Sequence, residues 1–336
     1  MFKRISVLFL AIFLFFSCDF DILGPTKNNY LIMTYNVQNL FDPYVNGNEY
    51  LEYTPEGGWT LAKYLKRLEK VSHTVIQKQK EVPAVILFQE IENSLVLEDL
   101  LELYLNKRGF QWYATTKDDF SPIQVGLISR YPIVETKIHS VLDNRSILEC
   151  TIDLDGSLIT VFNFHAKSRI EGIEETEPLR VASAEAIAFR VEQLKKEKPN
   201  LPLIIGGDFN QSADSAIREG GNYRYAVAPY GYSDAPLIVT GGRPTEGLWY
   251  TWWLDHKQKI LASAEGSYLY KGIWETFDQL LLSSHFFDNH DLEFTSAFVL
   301  SSSPLCSDKG SPVAYNPKTG QGYSDHLPVS VLLKRY

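Results

Sequence analysis

Apolar and polar positions along this chain alternate between two periods. Residues 58–80 carry Leu61, Leu65, Leu68, Val71 and Val75, a stripe at helical spacing that predicts an amphipathic helix. Residues 94–107 repeat that pattern, and 177–196 predict a third helix that opens on Glu177 and Pro178. Between them lie short apolar runs of strand length: YLIMTYNV (30–37), AVILFQE (84–90), QVGLISRYPI (124–133), LPLIIGGDFN (201–210), FDQLLLSS (277–284) and LPVSVLL (327–333). SILECTIDL and SLITVFNFH meet at Asp155-Gly156, which predicts a hairpin. Strands and helices therefore interleave, as in layered α/β proteins.

Several of these strands end on polar residues: Asn36, Glu90, His165, and Asp208 with Asn210. One such end is an ordinary solubilising cap. Four ends built of acid, amide and imidazole predict convergence on one site, because strand ends present side chains from a rigid core.

With 336 residues, 45% hydrophobic and 22% charged, the chain can bury a sizeable core. Neither a repeat nor a Pro/Gly-rich linker divides it, so one domain is expected over 30–336. Residues 1–17 stand apart, because Lys3 and Arg4 precede an apolar run that ends beside Cys18. That is the layout of a secretory signal, and it is too short for a stable spanning helix. Its end resembles the lipobox of bacterial lipoproteins, with Phe15 and Phe16 in place of the usual Leu and small residue. The resemblance implies lipidation of Cys18, a tether over 18–29, and an exported, membrane-anchored monomer facing the periplasm or cell exterior. A plain signal peptide or a retained anchor is the alternative.

Loss of Lys3 and Arg4 with the signal would move the net charge from −9 to −11. So acidic a protein is not built for indiscriminate binding to polyanions, which excludes histone-like and repressor-like roles. Export permits a Cys150–Cys306 disulfide, but the apolar run around Cys150 favours a buried thiol.

The chemistry resides in four segments. Glu90 emerges from an apolar strand and must be hydrated, paired or metal-bound, and a carboxylate with amide and water ligands suits Mg²⁺. In GGDFN, Gly206 and Gly207 allow close backbone approach. An extended strand would then set Asp208 and Asn210 on one side, where they can hold a phosphate oxygen and serve the leaving group. An Asx turn is the competing reading. In NFHAKSR, His165 and Lys167 share one face of an extended segment and suit negative charge on a phosphoryl group. Arg169 either joins them or remains a solvated charge. In YSDHLP, His326 can activate water if a carboxylate orients it. Asp325 faces the other way in an extended segment, so Asp278 is the better partner, and Asp325 is left for a metal or its water shell.

The ordered series TYNVQNLFD, LFQEIEN, FNFHAKSR, GGDFNQSADS, FDQLLLS and YSDHLP resembles the endonuclease/exonuclease/phosphatase superfamily. Its members include pancreatic-type deoxyribonucleases, apurinic endonucleases, neutral sphingomyelinases and inositol polyphosphate 5-phosphatases. The similarity runs from about Leu31 to Leu333. It implies a four-layer α/β sandwich, with two mixed sheets packed face to face and helices outside. It also implies a hydrolase of phosphodiesters dependent on Mg²⁺ or Mn²⁺. By motif, Asn36 and Glu90 become metal-site residues with Asp325 beside the metal. His165, Asp208 and Asn210 handle the phosphate and leaving group, and Asp278 orients His326, the implied general base. Lys167 is implied as a further phosphate contact. Family schemes divide water activation differently between the Asp of GDFN and the final His. The tyrosine of apurinic endonucleases and the longer 5-phosphatase signatures have no clear counterpart. HAKSRIEGIEETEPLR and GSYLYKGIWETFDQ instead resemble a less characterised bacterial branch.

Nucleic acid is the expected substrate, with a phospholipid or inositol phosphate as the alternative and a non-catalytic binding lipoprotein as the least favoured reading. The cluster Trp249, Tyr250, Trp252 and Trp253, near Lys257 and Lys259, either contacts bases or lipid head groups or packs onto the fold.

Overall fold

In the computed structural model, the chain is described over residues 28–336, except 77–80, 221–222, 233 and 262–263. The signal, Cys18 and most of the tether lie outside the described residues. Among the described residues no helix is long and apolar enough to cross a membrane.

Sixteen strands are present among the described residues: β1 (Asn29–Leu40), β2 (Val85–Ile91), β3 (Trp112–Thr115), β4 (Gln124–Ser129), β5 (Ile133–Val141), β6 (Asn144–Leu154), β7 (Ser157–His165), β8 (Leu203–Asp208), β9 (Val227–Pro229), β10 (Leu237–Thr240), β11 (Trp249–Tyr250), β12 (Tyr268–Tyr270), β13 (Ile273–Glu275), β14 (Asp278–Leu282), β15 (Leu292–Val299) and β16 (Val329–Arg335). One sheet has the order β15-β16-β1-β2-β4-β3, and the other β5-β6-β7-β8-β14-β11-β10-β9. β12 and β13 form a separate hairpin.

Helices α1 (Leu61–Ile76) and α2 (Ser94–Leu100) cover the first sheet, and α3 (Ile173–Glu197) covers the second. The core between the sheets holds Ile32, Leu87, Val161, Ile204, Leu280 and Val331, all buried. The expected four-layer α/β sandwich is therefore the fold. The central strands of each sheet are buried on both faces, which is why they read as continuous apolar runs.

Several elements differ from the expectation. The 124–133 run ends at Ser129, and after a turn β5 starts at Ile133. β5 was not expected. It is an edge strand whose residues alternate between half-buried and exposed, so it lacks an apolar signature. The 94–107 helix is α2 followed by a π-turn (Leu101–Leu105) and a 3₁₀ turn (Asn106–Arg108), closed by Gly109 at φ 89°. α3 begins four residues before Glu177, and Pro178 lies inside it. The Arg180 side chain holds that first turn, donating to the Ile173 carbonyl (2.7 Å) and the Thr176 hydroxyl (2.8 Å). That grip within the helix offsets the hydrogen bond that proline cannot make.

Trp252 and Trp253 stack at 3.9 Å and are fully buried, and Trp253 donates to the Asp278 carbonyl (3.0 Å). With Trp249 and Tyr250 also buried, the aromatic cluster is core. Both Cys150 and Cys306 are buried free thiols.

Glu149 on β6 is buried against α3 and accepts from Arg190 (2.8 and 3.0 Å) and meets His139 at 2.6 Å. Burial alone would raise its pKa, but the hydrogen bonds and charges of His139 and Arg190 outweigh it and hold the carboxyl at about 2. Glu149→Gln removes the bidentate, buried partner of Arg190 and leaves it the longer contact with the exposed Glu197 (3.4 Å) as counter-charge. The expected cost at pH 7 is about 3 kcal/mol, the low end for a broken buried pair because Glu197 still faces Arg190. The carboxylate's contribution is complete above the unfolded value of about 4.3 and fades as pH falls toward 2. Urea unfolding at pH 7 and pH 3 should show the gap between wild type and variant narrowing in acid.

Candidate active site

The register of the two sheets brings the polar strand ends to one pole. In the second sheet His165 pairs with Asp208, and Asp208 with Asp278, so three adjacent strands present these residues in a row. In the first sheet Asn36 pairs with Gln89. Both strands then bulge, between Asn36 and Leu40 and between Gln89 and Ile91. Gln38, Asn39 and Glu90 adopt left-handed φ of 51°, 55° and 64°. Such strained bulges re-aim side chains at sites. Gln89 points between the sheets and donates to Asn163 (2.7 Å), while Asn163 donates to the Phe88 and Gly126 carbonyls. This satisfied polar bridge ties the sheets together directly beneath Glu90.

Two glycines let the strands approach. A Cβ on Gly206 would lie 2.5 Å from Leu87 of the facing sheet, and one on Gly207 (φ 136°) would lie 1.9 Å from the Phe164 carbonyl. The close approach expected of GGDFN is thus a requirement of sheet packing.

At the pole, Asn36 Nδ2 donates to Glu90 Oε1 (2.9 Å) and Asp208 Oδ2 (3.0 Å), linking the two carboxylates. The Asn39 N–H donates to Glu90 Oε2 (2.9 Å). His165 Nε2 stands 3.5 Å from Asp208 and 3.9 Å from Glu90. His326 Nδ1 meets Asp278 Oδ2 at 2.7 Å, and its Nε2 lies 3.7 Å from Asp208 Oδ2. Asp278, and not the adjacent Asp325, is the partner of His326. His326 precedes β16, and its backbone bridges to Tyr268 from a distant segment. The Asp325 N–H donates to Gln38 Oε1 (3.0 Å), and the Ser324 hydroxyl donates to the Asn36 carbonyl (2.8 Å), so the bulge of β1 carries this loop.

Two expectations of orientation change. β8 ends at Asp208, and Asn210 is left-handed (φ 46°), so the two-residue strand period does not apply. Their link is an Asx turn: the Asn210 N–H donates to Asp208 Oδ1 (2.8 Å), and Asn210 Nδ2 donates to the Ala166 carbonyl (3.1 Å). β7 likewise ends at His165, so Lys167 does not share its face. Lys167 lies half-exposed with its ammonium 3.0 Å from Glu171. Arg169 pairs with Glu219 at 2.5 Å.

Arg145 belongs to the site and went unread in the sequence, where a charge at a strand start signals only a solvated cap. Its guanidinium donates to the His165 (3.2 Å) and Ala166 (2.9 Å) carbonyls. Burial lowers its pKa, while the charges of Glu90 and Asp208 support its cationic form.

The electrostatics follow from crowding. Burial and then the charge of Asp325 raise Glu90 above the usual carboxylate range. Burial also raises Asp208, against the pull of His326. His165 is held well below its ordinary value by burial, then by Arg145 and His326, and is a neutral imidazole. His326 is held well above its ordinary value, because Asp278 and Asp208 outweigh burial. His165 Nδ1 and Asp278 Oδ1 are buried with no hydrogen-bond partner.

Donor atoms of Glu90, His165 and Asp208 lie within 4.8 Å of one another, as do those of Asp208, Asp278 and His326. Crowded, desolvated carboxylates beside an amide form an oxygen-rich set whose Glu90 and Asp208 are both raised by burial. That set fits a hard divalent cation.

The comparisons agree with this geometry. The family model described as Endonuclease/Exonuclease/phosphatase family matches residues 31–222. No curated protein sequence matches. Among solved structures, the human nocturnin catalytic domain with bound sulfate superposes with a TM-score of 0.56 at 15% identity, covering 94% of this chain and 100% of that one. A Bacteroides thetaiotaomicron endonuclease/exonuclease/phosphatase family protein has a TM-score of 0.54 at 16% identity, covering 91% and 94%. D. rerio TDP2 complexed with single strand DNA product has a TM-score of 0.53 at 15% identity, covering 91% and 99%. At such identities these likenesses establish the fold. With a family model spanning more than half of its length, this chain belongs to the endonuclease/exonuclease/phosphatase family and is a metal-dependent phosphoester hydrolase.

Proposed function

We propose that this protein is an exported, Mg²⁺- or Mn²⁺-dependent nuclease that hydrolyses nucleic-acid phosphodiesters by attack of an activated water. The observation that carries the reading is the Asp278–His326 pair, aimed at Asp208 beside Glu90 and Asn36. Asp278 engages Nδ1 and aims Nε2 toward Asp208; a bound cation would offset the carboxylate charge that keeps the ring protonated, leaving Nε2 to take the proton of the attacking water. Glu90, Asn36 and Asp325 would hold the metal. When bound, the ion would neutralise the crowded carboxylates and polarise a phosphoryl oxygen. His165, a neutral imidazole whose Nε2 faces Asp208 and Glu90, is suited to donate from that nitrogen to a phosphate oxygen. Asp208, raised by burial, can carry a proton toward the leaving group, with Asn210 and the Arg145 cation beside it.

For nucleic acid in particular, support comes from the zebrafish TDP2 structure, solved with a single-strand DNA product. The tryptophan cluster lies in the core and lends nothing to either a nucleic-acid or a phospholipid substrate. Export and a lipid anchor on Cys18 rest on the basic start and apolar run of the first 17 residues.

The test is a panel of DNA, RNA, sphingomyelin and inositol polyphosphates, each with Mg²⁺, Mn²⁺ or EDTA, using membrane-extracted protein. Cleavage of DNA or RNA that EDTA abolishes is expected. Intact nucleic acid with hydrolysis of another phosphoester would move the assignment to that substrate. Detergent-phase partitioning that persists in Cys18→Ser would refute the lipid anchor.

A further inference from the structure

The β12–β13 hairpin lies against the Asp278–His326 pair. Ser267 just before it is fully buried and joined to both neighbourhoods. Its hydroxyl accepts from the Asp278 N–H (3.1 Å), and its carbonyl accepts from the Leu327 N–H (2.8 Å). Tyr268 then bridges to His326 through the backbone and stacks on the imidazole, with centroids 4.5 Å apart and planes at 27°. The Tyr268 ring is itself held by Phe277, stacked at 5.3 Å and 19°. Its phenol stays protonated, because burial and then the charges of Asp325 and Asp208 push it up to about 12.

An imidazole gripped through one nitrogen is only half restrained. The Asp278 hydrogen bond sets the direction of Nδ1, yet the ring can still tilt about that contact, because χ2 of histidine has broad wells. A tilt swings Nε2, the atom that must meet the water. An aromatic ring held flat against the imidazole removes that freedom, and offset stacking adds attraction.

We propose that Tyr268 is a positioning residue for His326: its ring fixes the imidazole plane while Asp278 fixes the imidazole direction. This rests on His326 acting as the general base. The role belongs to the ring and not to the hydroxyl.

Kinetics of Tyr268→Phe, Tyr268→Leu and the latter combined with His326→Ala test it. Tyr268→Phe should keep kcat within about 3-fold, while Tyr268→Leu should lower kcat by about 10²-fold, the scale set by small misplacement of a reacting group. KM should move less than about 3-fold, since no uniform binding is lost. In the His326→Ala background the leucine should change kcat little, because residues acting through one another are not additive. Three results would overturn the proposal: a raised KM with kcat intact, a Phe variant as poor as Leu, or an equal loss in both backgrounds.

A second readout needs no turnover. The His326 ring protons, identified by their absence in His326→Ala, should show an upfield ring-current NMR shift in wild type and Tyr268→Phe that Tyr268→Leu removes. An unchanged shift in the leucine variant also overturns the proposal. A wild type inactive on every phosphoester would defeat the nuclease assignment while leaving this shift to decide the stacking. Should the leucine variant not fold, Tyr268→Met, which keeps bulk without an aromatic plane, replaces it.

Discussion

His326→Ala is expected to lower kcat by about 10²–10⁴-fold, the range for removal of a positioned general base, with KM changed little. The imidazole is buried, is held by Asp278 at 2.7 Å and presents Nε2 toward Asp208. Asp278→Asn should cost nearly as much. An amide in that place can donate to Nδ1, which would put the ring proton on Nε2 and remove the basic lone pair from the reacting side. The two losses should not add in the double variant, since each disables the same unit. Single-turnover measurements on the preferred phosphodiester, at saturating metal, provide the check. A His326→Ala enzyme with wild-type kcat would transfer water activation to Asp208, the other assignment the family resemblance leaves open.

Metal dependence provides the second large effect. Glu90→Gln is expected to weaken Mg²⁺ or Mn²⁺ affinity by at least about 10-fold, the lower bound for disturbing a ligand shell. Activity at limiting metal should fall in proportion. The carboxylate is the most directly aimed oxygen donor of the cluster: a left-handed bulge residue, pinned by Asn36 and the Asn39 N–H. Thermal unfolding isolates the effect from catalysis. Wild-type Tm should rise with added Mn²⁺, by linkage equivalent to about 2.7 kcal/mol at a hundredfold excess over Kd. For a 10-fold loss of affinity the Gln variant should keep only about half of that linkage at the same Mn²⁺ concentration, about 1.4 kcal/mol, while its Tm in EDTA stays close to wild type. An unchanged metal-induced rise in the variant would remove Glu90 from the ligand set.

How far the sequence alone reached differs between layers of the structure. The central strands β1, β2, β7, β8 and β14 were legible because both faces of each are buried, so their composition is apolar without interruption. Edge elements such as β5, and the short β9 to β13, are half-solvated or only two to four residues long, and neither feature leaves a periodic trace. The polar ends of the central strands could be read as a site because acids, amides and imidazoles recur where each apolar run stops. Their orientation could not. Asn210 and Glu90 leave the extended backbone at left-handed residues, so side-chain alternation counted along the strand gives the wrong direction. Lys167 was grouped with His165 by that same alternation, yet β7 ends at His165 and Lys167 turns out to Glu171.

The sequence by itself determined a layered α/β protein with polar strand ends at Asn36, Glu90, His165, Asp208 and Asn210, and it favoured Asp278 over Asp325 as the partner of His326; the four-layer sandwich and the residue roles came from the resemblance that the ordered motifs carry. The strand ends follow from local facts: which runs are apolar and where they stop. Only the tertiary structure brought in Arg145, the Gln89–Asn163 bridge and Tyr268, which come from distant segments. It also placed the tryptophans in the core. The reason in each case is strand register. Pairing of His165, Asp208 and Asp278 across three strands, and docking of a hairpin against His326, are set by packing between residues far apart in the chain.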